Sequence, residues 1–130
     1  MATLTDADVA LLSEPQLAHL AVIDSDGAPH VTPVWVDTDG VHILINTAKG
    51  RAKYESLRRD PHVAVSIVDK SDDWRTLWVK GTAELVEEGA DAHIDKLAKK
   101  YLGKDSYPFR KPGEQRVIVR ISPTQKLHQG

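Results

Sequence analysis

The chain has 130 residues, 41% of them apolar and 28% charged, with 17 Lys and Arg against 19 Asp and Glu for a formal charge of −2. That length suits one domain spanning 1–130 with a core of its own, and the composition excludes a disordered or fibrous chain. The absence of Cys excludes disulfides, thiolate metal sites and a cysteine nucleophile, and the near-neutral charge argues against broad nucleic-acid binding.

In chain order, a short helix is expected from Thr5 to Ser13, with Thr5 and Asp8 as a capping box. Leu17 to Asp24 reads as a strand closed by the turn Ser25-Asp26-Gly27, and Pro29 to Asp37 as a second strand interrupted by Pro33. Thr38-Asp39-Gly40 forms the next turn and Val41 to Thr47 a third strand. Gly50 to Arg59 has helical spacing, ended by Asp60-Pro61, because the residue before proline is pushed out of helical geometry. His62 to Asp69 and Trp74 to Glu87 are strands, the second with Gly81 as a bulge or point of close approach. Asp91 to Leu102 is a helix with Ile94, Leu97, Ala98 and Tyr101 on its apolar face. A loop from Gly103 to Gln115 leads into a last strand, Arg116 to Ile121. Six β segments and few helices predict a mainly β fold, a small barrel with helices packed on its outside. No apolar run approaches the roughly 20 residues of a membrane helix. The N-terminal residues lack the basic and apolar regions of a signal peptide, so a cytoplasmic protein without membrane contact is expected.

The stretch richest in chemistry is Asn46 to Lys53, where a strand end runs through small residues into a helix. The first backbone N–H groups of a helix lack internal partners and point at any anion placed there. Thr47 adds a hydroxyl, and Lys49, Arg51 and Lys53 add three cations within five residues, the pattern that a cofactor phosphate requires. The alternative is a solvated basic helix start, although cations are disfavoured beside the positive end of the helix dipole. A second feature is Pro33 inside a strand. Proline has no ladder donor, so it belongs at an edge or bulge, where neighbouring amides and carbonyls stay free to meet a planar ligand or simply protect the edge. The six histidines show no metal-ligand spacing, so no metal site is expected.

Taken in order, Gly27-x-Pro29-x-Val31-x-Pro33-Val34-Trp35, Asp39-Gly40, Asn46-Thr47, Lys49-x-Arg51-x-Lys53 and Leu57-x-Arg59-Asp60-Pro61-x-Val63 resemble the pyridoxamine-phosphate-oxidase-like split β-barrel superfamily. More closely, the chain resembles the flavin/deazaflavin oxidoreductase branch that uses coenzyme F-420. The resemblance extends through Lys80-Gly81-Thr82-Ala83 to Arg116–Ile121. It implies a split-barrel homodimer with two cofactor sites at the interface. The isoalloxazine-like ring would lie against His30, Val31, Thr32, Pro33 and Val34. The ribityl and phosphate groups would meet Asn46, Thr47, Lys49, Gly50, Arg51 and Lys53. Part of Trp74 to Val79 would come from the other subunit, with Trp78, or else Trp74, packing on the ring. The implied activity is hydride transfer between F-420 and a small organic acceptor, with no catalytic side chain assigned. The alternatives are an FMN-dependent oxidase or reductase and a non-catalytic deazaflavin-binding protein. A second basic region, Lys96, Lys99, Lys100, Lys104, Arg110 and Lys111, is either solvated surface or a field for the glutamate tail of F-420. Tyr107-Pro108-Phe109 is a lid candidate.

Overall fold

Alternation of apolar and polar residues gives each strand one inward face, and the computed structural model, which describes residues 2–127, shows how those faces close on one another. The elements run α1 (Asp6–Ser13), β1 (Ala18–Ile23), β2 (Pro29–Val34), β3 (Asp37–Thr38), β4 (Ile43–Ala48), α2 (Ala52–Arg59), β5 (His62–Asp69), β6 (Asp72–Val86), α3 (Ala90–Leu102) and β7 (Arg116–Leu127). The seven strands form one antiparallel sheet in the order β2-β1-β5-β6-β7-β4-β3. Its two edge strands, β2 and β3, are consecutive in the chain and separated only by Trp35 and Val36. The sheet therefore curls until its edges meet at that corner, leaving a barrel split along one seam. Leu20, Ile43, Ile45, Ile67, Val79, Val119 and Ile121 fill its interior, and Leu11 and Leu12 of α1 belong to the same core. Each such side chain contributes about 1.5–3 kcal/mol on burial.

Three local expectations meet their physical causes here. The capping box of α1 is formed, with Asp8 N–H donating to Thr5 Oγ1 at 3.1 Å and Thr5 N–H to the Asp8 carboxylate at 2.9 Å. Pro33 sits on an edge strand, opposite His19. Ile94, Leu97 and Ala98 of α3 are buried, and Gly103 ends that helix at φ +71°, a conformation that favours glycine.

Two strands differ most from the expected bounds. The second strand does not run on to Asp37. It stops at Val34, because the Val36 N–H donates to Tyr101 Oη (3.1 Å) and the Val36 carbonyl accepts from Lys100 Nζ (2.6 Å) instead of from a neighbouring strand. Asp37 and Thr38 then pair with Leu44 and Ile43, making a seventh β segment out of the expected end of the second strand and the first residue of the expected turn. The last strand runs past Ile121 to Leu127, and Pro123 is tolerated because the β6–β7 register shifts between Lys80 and Gly81, setting Pro123 opposite Gly81. A Cβ on Gly81 would lie 2.5 Å from the Ser122 carbonyl oxygen and 2.9 Å from Ile121 Cγ2, so only glycine fits. Gly81→Ala is expected to cost roughly 1–3 kcal/mol through this overpacking. Urea unfolding should show a lower midpoint with an unchanged slope.

Candidate functional site

Where β4 runs out at Ala48, Gly50 turns the chain at φ +89° and α2 begins two residues later. Arg51 is its N-cap and makes no side-chain cap bond, so the first N–H groups of the helix are left open. This helix start borders a cleft of about 320 Å³. Arg51, Lys53 and Arg116 form its basic side, and Trp35, Tyr107 and Phe109 its aromatic wall. Pro33, Val34 and Asn46 complete the part contributed by β2 and β4.

Of these three cations, two share one carboxylate and, among the described residues, the third has none. Glu114 lies 3.5 Å from Arg51 and 3.0 Å from Arg116, and among the described residues no carboxylate lies within ion-pair distance of Lys53. Burial, then repulsion from Arg51 and Arg116, pushes the Lys53 pKa below its ordinary value. Arg116 is held rigidly. Its side chain is 2% exposed, Nε donates to Asn46 Oδ1 at 2.8 Å, Nη1 donates to Glu114 at 3.0 Å, and the guanidinium sits 5.2 Å from the Tyr107 ring centroid. A half-buried, under-neutralised group of this kind suits an anion with several acceptor oxygens, which would supply the missing negative charge and meet open N–H groups as well.

The aromatic wall is built by long-range contacts. Trp35 stacks on Tyr101 with centroids 5.1 Å apart and planes 4° from parallel, and meets Tyr107 edge-on at 6.2 Å. Tyr107 in turn meets Phe109 at 5.7 Å. The loop carrying both is pinned to α3, since Asp95 accepts from the Tyr107 N–H and from Arg110, which also pairs with Asp91.

Of the residues singled out in the sequence, the cleft thus brings together Pro33, Val34, Asn46, Arg51 and Lys53. Thr47 is buried and does not line the cleft, and Lys49 turns away to Glu87 at 2.7 Å. His30, with Nδ1 3.5 Å from Asp24, and Val31, 58% exposed, lie on β2. Val31 and Trp78 flank a shallow depression on the outside of the sheet, and Trp74 is 80% exposed. Val79 points inward at 1%. Arg116, Trp35 and the Asn46–Arg116 bond carried no local signal, because their partners lie across the barrel.

A larger cavity of about 720 Å³ lies between α1, β3 and α3. Its lysines are already engaged, Lys96 with Asp37 (3.0 Å), Lys99 with Asp105 (3.3 Å) and Lys100 with the Leu12 and Val36 carbonyls. Much of the second basic region is therefore neutralised or bonded internally, and Lys104 and Lys111 have no carboxylate within ion-pair distance among the described residues. No group of three or more potential metal ligands occurs among the described residues, and His128 lies outside them. No helix among the described residues is long and apolar enough to cross a membrane.

An antiparallel barrel split at a two-residue seam, with a basic helix start and an aromatic-walled cleft beside the seam, is the architecture of a split β-barrel domain. The pyridoxamine 5′-phosphate oxidase family model matches residues 4–129, and the chain belongs to that family, within the split-barrel superfamily that includes an F-420 branch. Among solved structures, an F-420 reductase is 32% identical with a TM-score of 0.80, the match covering 92% of this chain and 95% of that one. A candidate pyridoxamine 5′-phosphate oxidase from Listeria innocua is 26% identical (TM-score 0.72, 94% of each chain). A conserved hypothetical protein of Mycobacterium tuberculosis is 29% identical (TM-score 0.69, 97% of this chain and 82% of that one). No curated protein matches significantly. The kinship is with flavin- and deazaflavin-type oxidoreductases.

The Lys53 environment makes a two-sided prediction. The fold disfavours the Lys53 charge that the unfolded chain carries, so the residue opposes folding until pH rises toward and past the ordinary lysine value of 10.5. Lys53→Met should leave the thermal midpoint unchanged or raised near neutral pH, with any gain shrinking as pH approaches that value. Removing a charge-assisted bond should weaken inorganic phosphate binding by about tenfold or more, since such bonds are worth about 1.5–3 kcal/mol. Paired calorimetric melts and phosphate titrations check both signs.

Proposed function

We propose that this protein is an F-420-dependent oxidoreductase that transfers a hydride between the deazaflavin and a small organic acceptor. The observation that carries the reading is the cation excess of the cleft, Arg51, Lys53 and Arg116 against Glu114, set at an uncapped helix start and walled by aromatic rings. In it, Arg51, Lys53 and the open N–H groups of α2 hold the cofactor phosphate, and Arg116 adds a fixed positive charge. β2 is paired on one side only, so the free backbone groups along His30 to Val34 are available to the polar edge of a planar ring. Trp35, Tyr107 and Phe109 exclude water from the ring's surroundings. When bound, the deazaflavin supplies the carbon that accepts or gives the hydride; the chain's own part is binding, orientation and electrostatics. The 32% identity to an F-420 reductase supports the deazaflavin over FMN.

The active form in this reading is a homodimer with cofactor sites at the interface. One chain offers about 320 Å³, little for a three-ring cofactor with its side chain. The outer face of β2-β1-β5-β6 presents Val31, Val68 and Trp74 at 58%, 40% and 80% exposure, together with Trp78. A second copy covering that face would bury these side chains and bring its Trp74 to Val79 segment toward the first copy's ring site.

Fluorescence titration of the apo-protein with F-420 and with FMN, at low and high salt, tests the cofactor. F-420 should bind more tightly, and the preference should narrow as salt rises, because exposed cations such as Lys104 and Lys111 act on its carboxylate tail through a field screened over about 8 Å at physiological ionic strength. Reduced F-420 should be reoxidised by quinone-like or unsaturated acceptors in the presence of the protein. FMN preferred at every salt concentration, with FMN-dependent turnover and none with F-420, overturns the reading. Light scattering should return twice the chain mass, and a stable monomer that binds cofactor normally removes the interface from it.

A further inference from the structure

Behind the cleft, four side chains form a directional chain, of which the cofactor reading leaves His93 and Asp37 unused. Arg116 Nε donates to Asn46 Oδ1 at 2.8 Å, and Asn46 Nδ2 lies 3.0 Å from the Ala90 carbonyl oxygen and 3.1 Å from His93 Nδ1. His93 Nε2 then faces Asp37 Oδ2 at 3.4 Å, and both side chains are less than a tenth exposed. The orientation of the Asn46 amide is not arbitrary. A guanidinium Nε–H can only donate and a backbone carbonyl can only accept, so these two partners fix which end of the amide is oxygen and which is nitrogen. With Nδ2 as donor, His93 Nδ1 must present a lone pair, and the ring proton sits on Nε2, aimed at the Asp37 carboxylate.

Asp37 suits that role. Burial alone raises its pKa, but the polar N–H groups of His93, Thr38 and Lys96 close to it outweigh burial and hold it well below the usual carboxylate range. Lys96 Nζ stands 3.0 Å from the same oxygen, from a side chain 68% exposed. Asp37 Oδ2 and His93 Nε2 are the buried side-chain polar atoms, among the described residues, that lack a hydrogen bond of ordinary geometry, and they face each other.

We propose that His93, held as the Nε2–H tautomer by Asp37, is a positioning residue that orients Asn46 and through it locks Arg116 toward the cleft. Arg116 then uses Nε and Nη1 for its own placement, on Asn46 and Glu114. No other protein acceptor engages its remaining nitrogen among the described residues, so that nitrogen is available to an anion. The ligand part of the proposal rests on the anion reading of the cleft. The positioning part does not.

Nitrogen-15 NMR of the labelled apo-protein tests the chain directly. His93 should show a protonated Nε2 and an unprotonated Nδ1, and the Arg116 Nε–H should exchange slowly. Two variants separate positioning from packing. His93→Asn puts a carbonyl oxygen near the place of Nδ1 but leaves a void, whereas His93→Phe fills the space and offers no acceptor. The Asn variant should keep the slow Arg116 signal and bind inorganic phosphate within about threefold of the parent. The Phe variant should lose the signal and bind about tenfold more weakly, even where it melts at the higher temperature. A purely structural role predicts that affinity follows melting temperature. A proton on Nδ1 in the parent, or equal behaviour of the two variants, overturns the proposal. Should the parent bind no phosphate, the anion reading falls alone, and the Arg116 signal in the parent and the two variants still decides the positioning role.

Discussion

The fold depends on a two-residue seam. Trp35 and Val36 carry the chain from one edge of the sheet to the other, so their backbone groups cannot join a ladder on either side. A buried, unpaired amide or carbonyl is expensive, and Val36 is fully buried. α3 solves this with side chains. Tyr101 Oη accepts from the Val36 N–H and donates to the Gln16 carbonyl, while Lys100 bridges the Val36 and Leu12 carbonyls at 2.6 and 2.7 Å. Burial pushes the Lys100 pKa down to about 8 and the Tyr101 hydroxyl pKa up, the cost of placing polar groups where the barrel must turn. Because Trp35 stacks on Tyr101, the contact that closes the seam also raises the aromatic wall of the cleft. Closure and site are one construction.

The site spends stability that the core supplies. An uncapped helix start and a half-buried Lys53 beside two arginines are each unfavourable in the protein by itself, and functional sites commonly hold such tension. The barrel interior tolerates it because its strands bring aliphatic residues from every part of the chain into one core. The same economy shapes the edges. β2 keeps a proline and free backbone groups, which discourages uncontrolled strand pairing and leaves a polar rim for a planar ligand.

Asp37 lines the larger cavity and Asn46 the cleft, with the buried His93 between these two side chains. The cleft near Arg116 is cation-rich, whereas the larger cavity beyond Asp37 has its charges matched, Lys96 with Asp37 and Lys99 with Asp105. Cavity volume is thus a poor guide to chemistry here. The informative quantity is charge left without a partner, since a ligand gains most where the protein has left an electrostatic demand unmet.

The sequence by itself determined whatever depends on neighbours a few residues apart. The Thr5–Asp8 cap, the apolar face of α3, the glycine requirement at Gly81, the edge position of Pro33 and the basic start of α2 with Arg51 and Lys53 were all legible, because helix period, strand alternation and turn chemistry are local. Tertiary structure alone decided that the second strand stops at Val34, that Lys100 is a half-buried brace instead of a solvated lysine, and that Trp35 and Arg116 face the same cleft as Lys53. It also decided that His93, unremarkable among six histidines, is set between Asn46 and Asp37. The reason is physical: a hydrogen bond such as that from Arg116 to Asn46 spans 70 positions of chain, and its existence follows from sheet register and barrel curvature, which no window of residues encodes.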